Sequence, residues 1–148
     1  MRSYSIAACS DGRTVPEPYV PVPTPETEPY WAAADEGRLS IQRCLSCGRH
    51  YFYPRSHCRY CVSDEVEWVD VSGHATLESF VLNGRPLPGT EDFAKVIAIV
   101  RLEEGVLLMS NIIDVEPVPE SLPLDMPLTV TFLDRGGRSI PVFRPREA

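Results

Sequence analysis

Beyond Glu65, apolar and polar positions alternate with the period of strands rather than of helices. The candidate strands are 66–69, 75–82, 94–102, 106–113, 128–133 and 140–143. In the third of these segments, 94–102, Val96, Ala98, Val100 and Leu102 share one face, and Ile97 and Ile99 share the other. Apolar residues on both faces predict a central strand. Glu103-Glu104-Gly105 and Asp134-Arg135-Gly136-Gly137-Arg138 read as turns between strands. The loop from Asn83 to Phe93, with Gly84, Arg85, Pro86, Pro88 and Gly89, is the longest in this region. Loops carried on a rigid β scaffold are common places for binding function.

The first third of the chain has a different texture. Pro16, Pro18, Pro21 and Pro23 forbid helix and predict an extended proline-rich arm over 1–23. A helix is predicted over 24–38. Thr24 is a candidate N-cap with Pro25 at the first helical position, or Thr27 caps if Pro29 delays the start. Tyr30, Trp31, Ala33 and Ala34 give it an apolar face for packing, and Gly37 ends it. Residues 39–43 read as a short strand, and Tyr51, Phe52 and Tyr53 as its return, closed by Pro54. The fold class is therefore mainly β, with an N-terminal helix. Five or six short strands with no helix between them fit a five-stranded Greek-key barrel of the OB type, and on pattern alone a sandwich fragment.

Between helix and barrel lie Cys44-Leu45-Ser46-Cys47 and Cys58-Arg59-Tyr60-Cys61. Two CxxC pairs separated by ten residues suit a hairpin that returns four sulfurs to one tetrahedral centre. Gly48 stands where a knuckle needs positive φ, so that backbone N–H groups face the sulfurs; Val62 holds the matching place after the second pair. The start of the chain lacks the form of a secretory signal, which favours a cytoplasmic, reducing setting and metal ligation over disulfides. A redox CxxC would sit near a βαβ pattern, and none follows. The reading is a structural zinc ribbon over 39–65, followed by the barrel over 66–148, with Cys44, Cys47, Cys58 and Cys61 as ligands. Iron is the competing metal, because thiolates alone do not select between the two. A closed four-sulfur site leaves no position for water and no catalytic role. Cys9 is incidental, and His50 and His57 flank the ribbon without being needed as ligands. The rings of Tyr51, Phe52 and Tyr53 are expected to cover the metal.

The chain has 148 residues, is 43% hydrophobic and carries a formal net charge of −7. No apolar run approaches the roughly 20 residues of a membrane helix. The net acidity disfavours a general nucleic-acid binder. Yet from Arg38 to Ser63 there is no acidic residue, while Arg38, Arg43, Arg49, Arg55 and Arg59 fall there. The ribbon is a basic island, suited to an anion or a docking partner. No nucleophile elbow, P-loop, dinucleotide fingerprint or HExxH motif is present, and His74 lies in a turn before a strand. This is the profile of a binding or scaffolding protein.

Several stretches in this order resemble a known family. They are Arg43-Cys44 to Gly48, Tyr53-Pro54-Arg55, Cys58 to Cys61, Glu67-Trp68, and the Ser72-Gly73 turn before Thr76 to Phe80. Val96 to Gly105, Met126 to Phe132 and the Thr-Pro-Glu helix start with Trp31 complete the set. Over roughly Thr24 to Phe132 the chain is similar to the DUF35 proteins, a rubredoxin-like zinc ribbon followed by an OB-fold. The resemblance implies a small subunit bound to a thiolase-superfamily enzyme, a thiolase or an aldolase of side-chain degradation of lipids or steroids. It implies that the partner holds the catalytic residues, that an acyl-CoA thioester is shared with it, and that the complex is a hetero-oligomer, a heterotetramer built on a partner dimer. No catalytic residue carries over. Arg49, Arg55 and Arg59 are candidates for contacts to the CoA phosphates, which guanidinium groups recognise bidentately. The alternatives are a single-stranded nucleic-acid binder, supported by the basic ribbon and its tyrosines, and rubredoxin-like electron transfer with iron.

Overall fold

The computed structural model describes residues 20–147. The expected arm lies mostly outside them, as does Cys9; its described end, Val20–Pro23, has no regular secondary structure. The helix α1 spans Glu28–Asp35. It begins later than Thr24 because Pro29 has no N–H to close a turn onto residue 25. Thr24–Thr27 instead forms a turn, in which the Thr24 carbonyl accepts from the Thr27 N–H at 3.0 Å and the Glu28 N–H at 2.8 Å. Thr27 is the N-cap residue. At the other end Gly37, at φ +75°, lets the Arg38 N–H reach the Ala33 carbonyl and its own N–H reach Ala34, both at 2.9 Å. That pair of bonds is a Schellman motif.

Eight strands follow: β1 (Leu39–Cys44), β2 (His50–Tyr51), β3 (Val66–Val71), β4 (His74–Leu82), β5 (Val96–Leu102), β6 (Leu107–Asn111), β7 (Pro127–Arg135) and β8 (Arg138–Pro145). They form two sheets, ordered β2-β1-β3 and β6-β5-β4-β7-β8. All named pairings are antiparallel. A parallel bridge between Ile112 and Phe143 brings the ends of the second sheet together. The result is a nearly closed five-stranded barrel of the OB type, which decides against the sandwich.

The sheets do not change where the ribbon and barrel were divided at 65/66. β3 pairs with β1 over its whole length, from Leu39 opposite Val71 to Cys44 opposite Val66. The passage into the barrel comes at Ser72-Gly73. Gly73 sits at φ +74°, and a Cβ there would lie 2.2 Å from Val130 Cγ1. Only glycine fits that corner. The predicted return strand is also shorter than Tyr51–Tyr53: Phe52 leaves the sheet and Tyr53 is exposed.

One continuous core joins the parts. Leu77, Val96, Val100, Leu102, Leu108, Leu122, Leu128 and Phe143 fill the barrel, and Tyr30, Leu39, Ile41 and Phe52 enter the same cluster. Trp31 packs against it from the helix, as expected of an apolar face. Burial holds the Tyr30 hydroxyl well above the usual phenol range, with a smaller contribution from Tyr53. The Asp35 carboxylate, at the end of α1, accepts from the Ser139 N–H at 2.8 Å and from the Arg138 guanidinium at 2.9 Å, seating the helix on the last hairpin.

Candidate functional site

The two cysteine pairs sit on two copies of one turn. In the first, the Gly48 N–H donates to the Cys44 carbonyl at 2.9 Å and the Cys44 N–H to Arg49 at 3.0 Å. In the second, the Val62 N–H donates to Cys58 at 3.0 Å and the Cys58 N–H to Ser63 at 2.8 Å. Gly48 has φ +72°; Val62 adopts φ +62°, a region that costs a β-branched residue about 1–2 kcal/mol. Val62 is exposed, so nothing around its side chain opposes the strain.

The turns bring the sulfurs of Cys44, Cys47, Cys58 and Cys61 within 4.8 Å of one another. Cys44 lies 3.5 Å from Cys61, and Cys47 3.7 Å from Cys58. Sulfurs around a tetrahedral zinc, at bonds of about 2.3 Å, stand about 3.8 Å apart. The donor set and its spacing therefore fit Zn²⁺. Backbone N–H groups face the sulfurs as a thiolate site needs: Cys47 donates to Cys44 Sγ at 3.5 Å, and Tyr60 to Cys58 Sγ at 3.3 Å. Burial works against the Cys58 thiolate, but N–H groups of Tyr60 and Cys61 and hydrogen bonds from Cys47 and Cys61 outweigh it and lower the thiol to about 6. No histidine belongs to the group; His57 Nδ1 lies 3.0 Å from Ser56 Oγ instead.

Of the three rings expected over the metal, Tyr51 alone packs there, with Cys44 and Cys58. Burial, and then the charge of Cys58, Cys44 and Cys47, raises its phenol above the ordinary value. Phe52 turns away to Tyr30, at a ring separation of 5.2 Å.

The basic island is smaller than its sequence. Arg38 pairs with Glu36 and Asp70, and Arg43 with Glu67 at 3.7 Å. Arg49, Arg55 and Arg59 make no ion pair among the described residues. Arg49 and Arg59 converge on Tyr60, their guanidinium carbons 4.8 Å and 5.4 Å from its ring centre. Arg59 and Tyr60 line a cleft of about 240 Å³ between ribbon and barrel, with Arg101, Val106 and Leu107 on its far wall. Arg55 is not part of it. It lines another groove, with Pro29, Gln42 and Trp68. The sequence reading missed Tyr60 as the platform; an aromatic flanked by arginine within a CxxC was the available signal. His74 opens β4, half-buried, with its Nδ1 3.4 Å from a Glu103 carboxylate oxygen.

Comparison with known proteins matches this arrangement. Residues 31–67 match the family described as "ChsH2, rubredoxin-like zinc ribbon domain", and residues 68–133 match "ChsH2, C-terminal OB-fold domain". The chain belongs to the DUF35 family. A "DUF35 domain-containing scaffold protein" of Methanothermobacter thermautotrophicus is 35% identical over 53% of this chain and 61% of its own length. The "3-oxo-4,17-pregnadiene-20-carboxyl-CoA hydratase alpha subunit" of Mycobacterium tuberculosis is 29% identical over 82% of this chain and 38% of its own length. Among solved structures, a chain of "Ltp2-ChsH2(DUF35) aldolase" superposes with a TM-score of 0.73 at 28% identity, covering 85% of this chain and 98% of that one. This DUF35 chain spans only about a third to just under two thirds of the length of the curated relatives it matches. The link to hydratase subunits was not foreseen from the sequence.

Proposed function

We propose that this chain is a non-catalytic, zinc-containing subunit of a thiolase-like enzyme that makes or breaks carbon–carbon bonds in acyl-CoA thioesters. The single observation that carries the reading is the ribbon–OB pairing itself, with a basic cleft at its seam. Cys44, Cys47, Cys58 and Cys61 hold one structural zinc, which locks the knuckles and leaves no coordination position for substrate. Arg49 and Arg59, spaced by the Tyr60 ring, present two guanidinium groups to the phosphates of a CoA bound with the partner, and Arg55 offers a third from the neighbouring groove. The partner supplies the reacting groups, and the complex is a heterotetramer. A relative named as an aldolase assembly and relatives named as CoA hydratase subunits support an acyl-CoA enzyme as the setting.

The test is an affinity pull-down of the tagged chain from its native lysate at moderate salt, with mass spectrometry of the retained proteins. A stoichiometric thiolase-superfamily subunit is expected, with turnover of acyl-CoA only in the complex. Turnover by the isolated chain would overturn the reading. In the complex, replacing both Arg49 and Arg59 with Ala raises KM for the acyl-CoA by about tenfold and leaves zinc content unchanged.

The nucleic-acid alternative draws on the same two arginines and Tyr60. The barrel gives it less support: where OB-folds stack bases on aromatic rings beside basic grooves, the face of β4 to β6 is mainly Val81, Ile97, Ile99 and Met109, with Phe80 and Phe93 at its edges and the Arg135 guanidinium 4.3 Å from the Phe93 ring centre. Salt-sensitive retention on single-stranded DNA would revive it.

A further inference from the structure

The outward face of β4, β5 and β6 carries a second feature. Cross-strand pairing sets Val81 beside Ile97 and Ile97 beside Asn111. The next row sets Ser79 beside Ile99 and Ile99 beside Met109. Val81 and Met109 are each 59% exposed, and Leu107, one step further along β6, is 45% exposed. A groove of about 390 Å³ opens at one end of these rows, between β5, β6 and the 83–95 loop; Leu87, Phe93, Ile97 and Met109 give its apolar lining. A shallower one of about 180 Å³ continues it over Ser79, Val81 and Ile99. Contiguous exposed apolar surface of this kind marks an interaction site.

The charge pattern says what covers it. In a chain that is 24% charged, no charged residue lines either groove. Arg101 is paired with Glu78 at 2.7 Å and Arg135 with Asp92 at 2.5 Å; at the rim, Glu91 and Lys95 line an adjoining depression beside Asn83, one charge of each sign. Inside the grooves a nucleic acid or an anionic membrane finds no counter-charge. A second copy would bring together two chains of net charge −7. The face is complementary to a neutral, apolar protein surface, and Met, Leu and Phe are residue types that anchor such interfaces. We infer that this face of the barrel is where the chain docks onto its enzyme partner, with a partner side chain seated in the Leu87–Phe93–Met109 groove. The inference rests on the subunit reading above and adds the surface that reading lacks.

The experiment repeats the native pull-down with Met109→Lys and, independently, Leu87→Glu. Leu87 lies in the loop and is 74% exposed, so its replacement leaves the barrel core untouched. The expected result is that the wild type retains a thiolase-superfamily subunit at one to one and each variant loses it by about tenfold or more, with zinc content and thermal transition unchanged. Folded variants that retain the subunit as the wild type does would overturn the docking face and leave the subunit reading standing. A wild type that retains no such subunit would overturn the subunit reading, and the docking face with it. Light scattering that finds the isolated wild type dimeric and Met109→Lys monomeric would overturn it in favour of self-association.

Discussion

The barrel and the knuckle end of the ribbon are held together by different physics. The barrel buries Leu77, Val100, Leu128 and Phe143 completely and closes its sheet onto itself. The knuckle end has a cluster of only Cys44, Tyr51 and Cys58, with Val66 against it. Around it Leu45, Tyr60 and Val62 are exposed. The difference teaches where redundancy lies. A barrel side chain shares its load with many neighbours; the knuckles depend on four sulfur bonds to one ion. It also teaches where function can be placed, because a module fixed by metal needs no apolar interior and can offer arginines and a tyrosine on its outside.

Removing the metal breaks the comparison most sharply. Structural zinc contributes on the order of 10 kcal/mol in small ribbons. Chelation, or Cys58→Ser, is expected to abolish amide protection over 44–65 while β4 to β8 stay protected, as hydrogen exchange would report. Loss of protection throughout would mean that the barrel depends on the ribbon. The next largest effect is Phe143→Ala, which opens a cavity in the filled barrel and costs about 3–5 kcal/mol, read as a lower thermal midpoint with zinc still bound. Gly73→Ala forces a Cβ toward Val130 Cγ1 at the corner between the sheets. Denaturant titration should show a loss of about 1–3 kcal/mol. The smallest change sharpens the comparison in the other direction. Val62→Gly relieves a left-handed backbone at an exposed site and stabilises the second knuckle by about 1 kcal/mol, seen as slower zinc loss to a competing chelator.

The cysteine spacing and the strand periodicities carried most of this architecture, because both are local signals. The metal cluster needs only residues 44–61, and the β5 alternation needs only its own seven positions. What the sequence left open was long-range. Nothing in 66–71 distinguishes pairing with β1 from pairing within the barrel, and only the Gly73 corner decides it. Ile97 and Ile99 read as a second buried face, yet they are half-buried, because the face above them is left uncovered by the rest of the chain. Arg38 and Arg43 counted toward a basic island until Asp70 and Glu67 on the neighbouring strand neutralised them. The same pairing left Arg49 and Arg59 for Tyr60, a grouping that depends on how the two knuckles face each other.

The seat of α1 on the final hairpin has a consequence for assembly. Asp35 and Arg138 stand 103 positions apart in sequence. The metal site closes within a span of eighteen, from Cys44 to Cys61. Local closure is entropically cheap and distant closure is slow. As the chain leaves the ribosome the knuckles can capture zinc long before the residues that anchor the helix exist. The helix, and the groove between it and β3 that Arg55 lines, take their final position only once the last hairpin has arrived. The ribbon is thus complete first, and the helix is seated on the barrel only after β7 and β8 have formed.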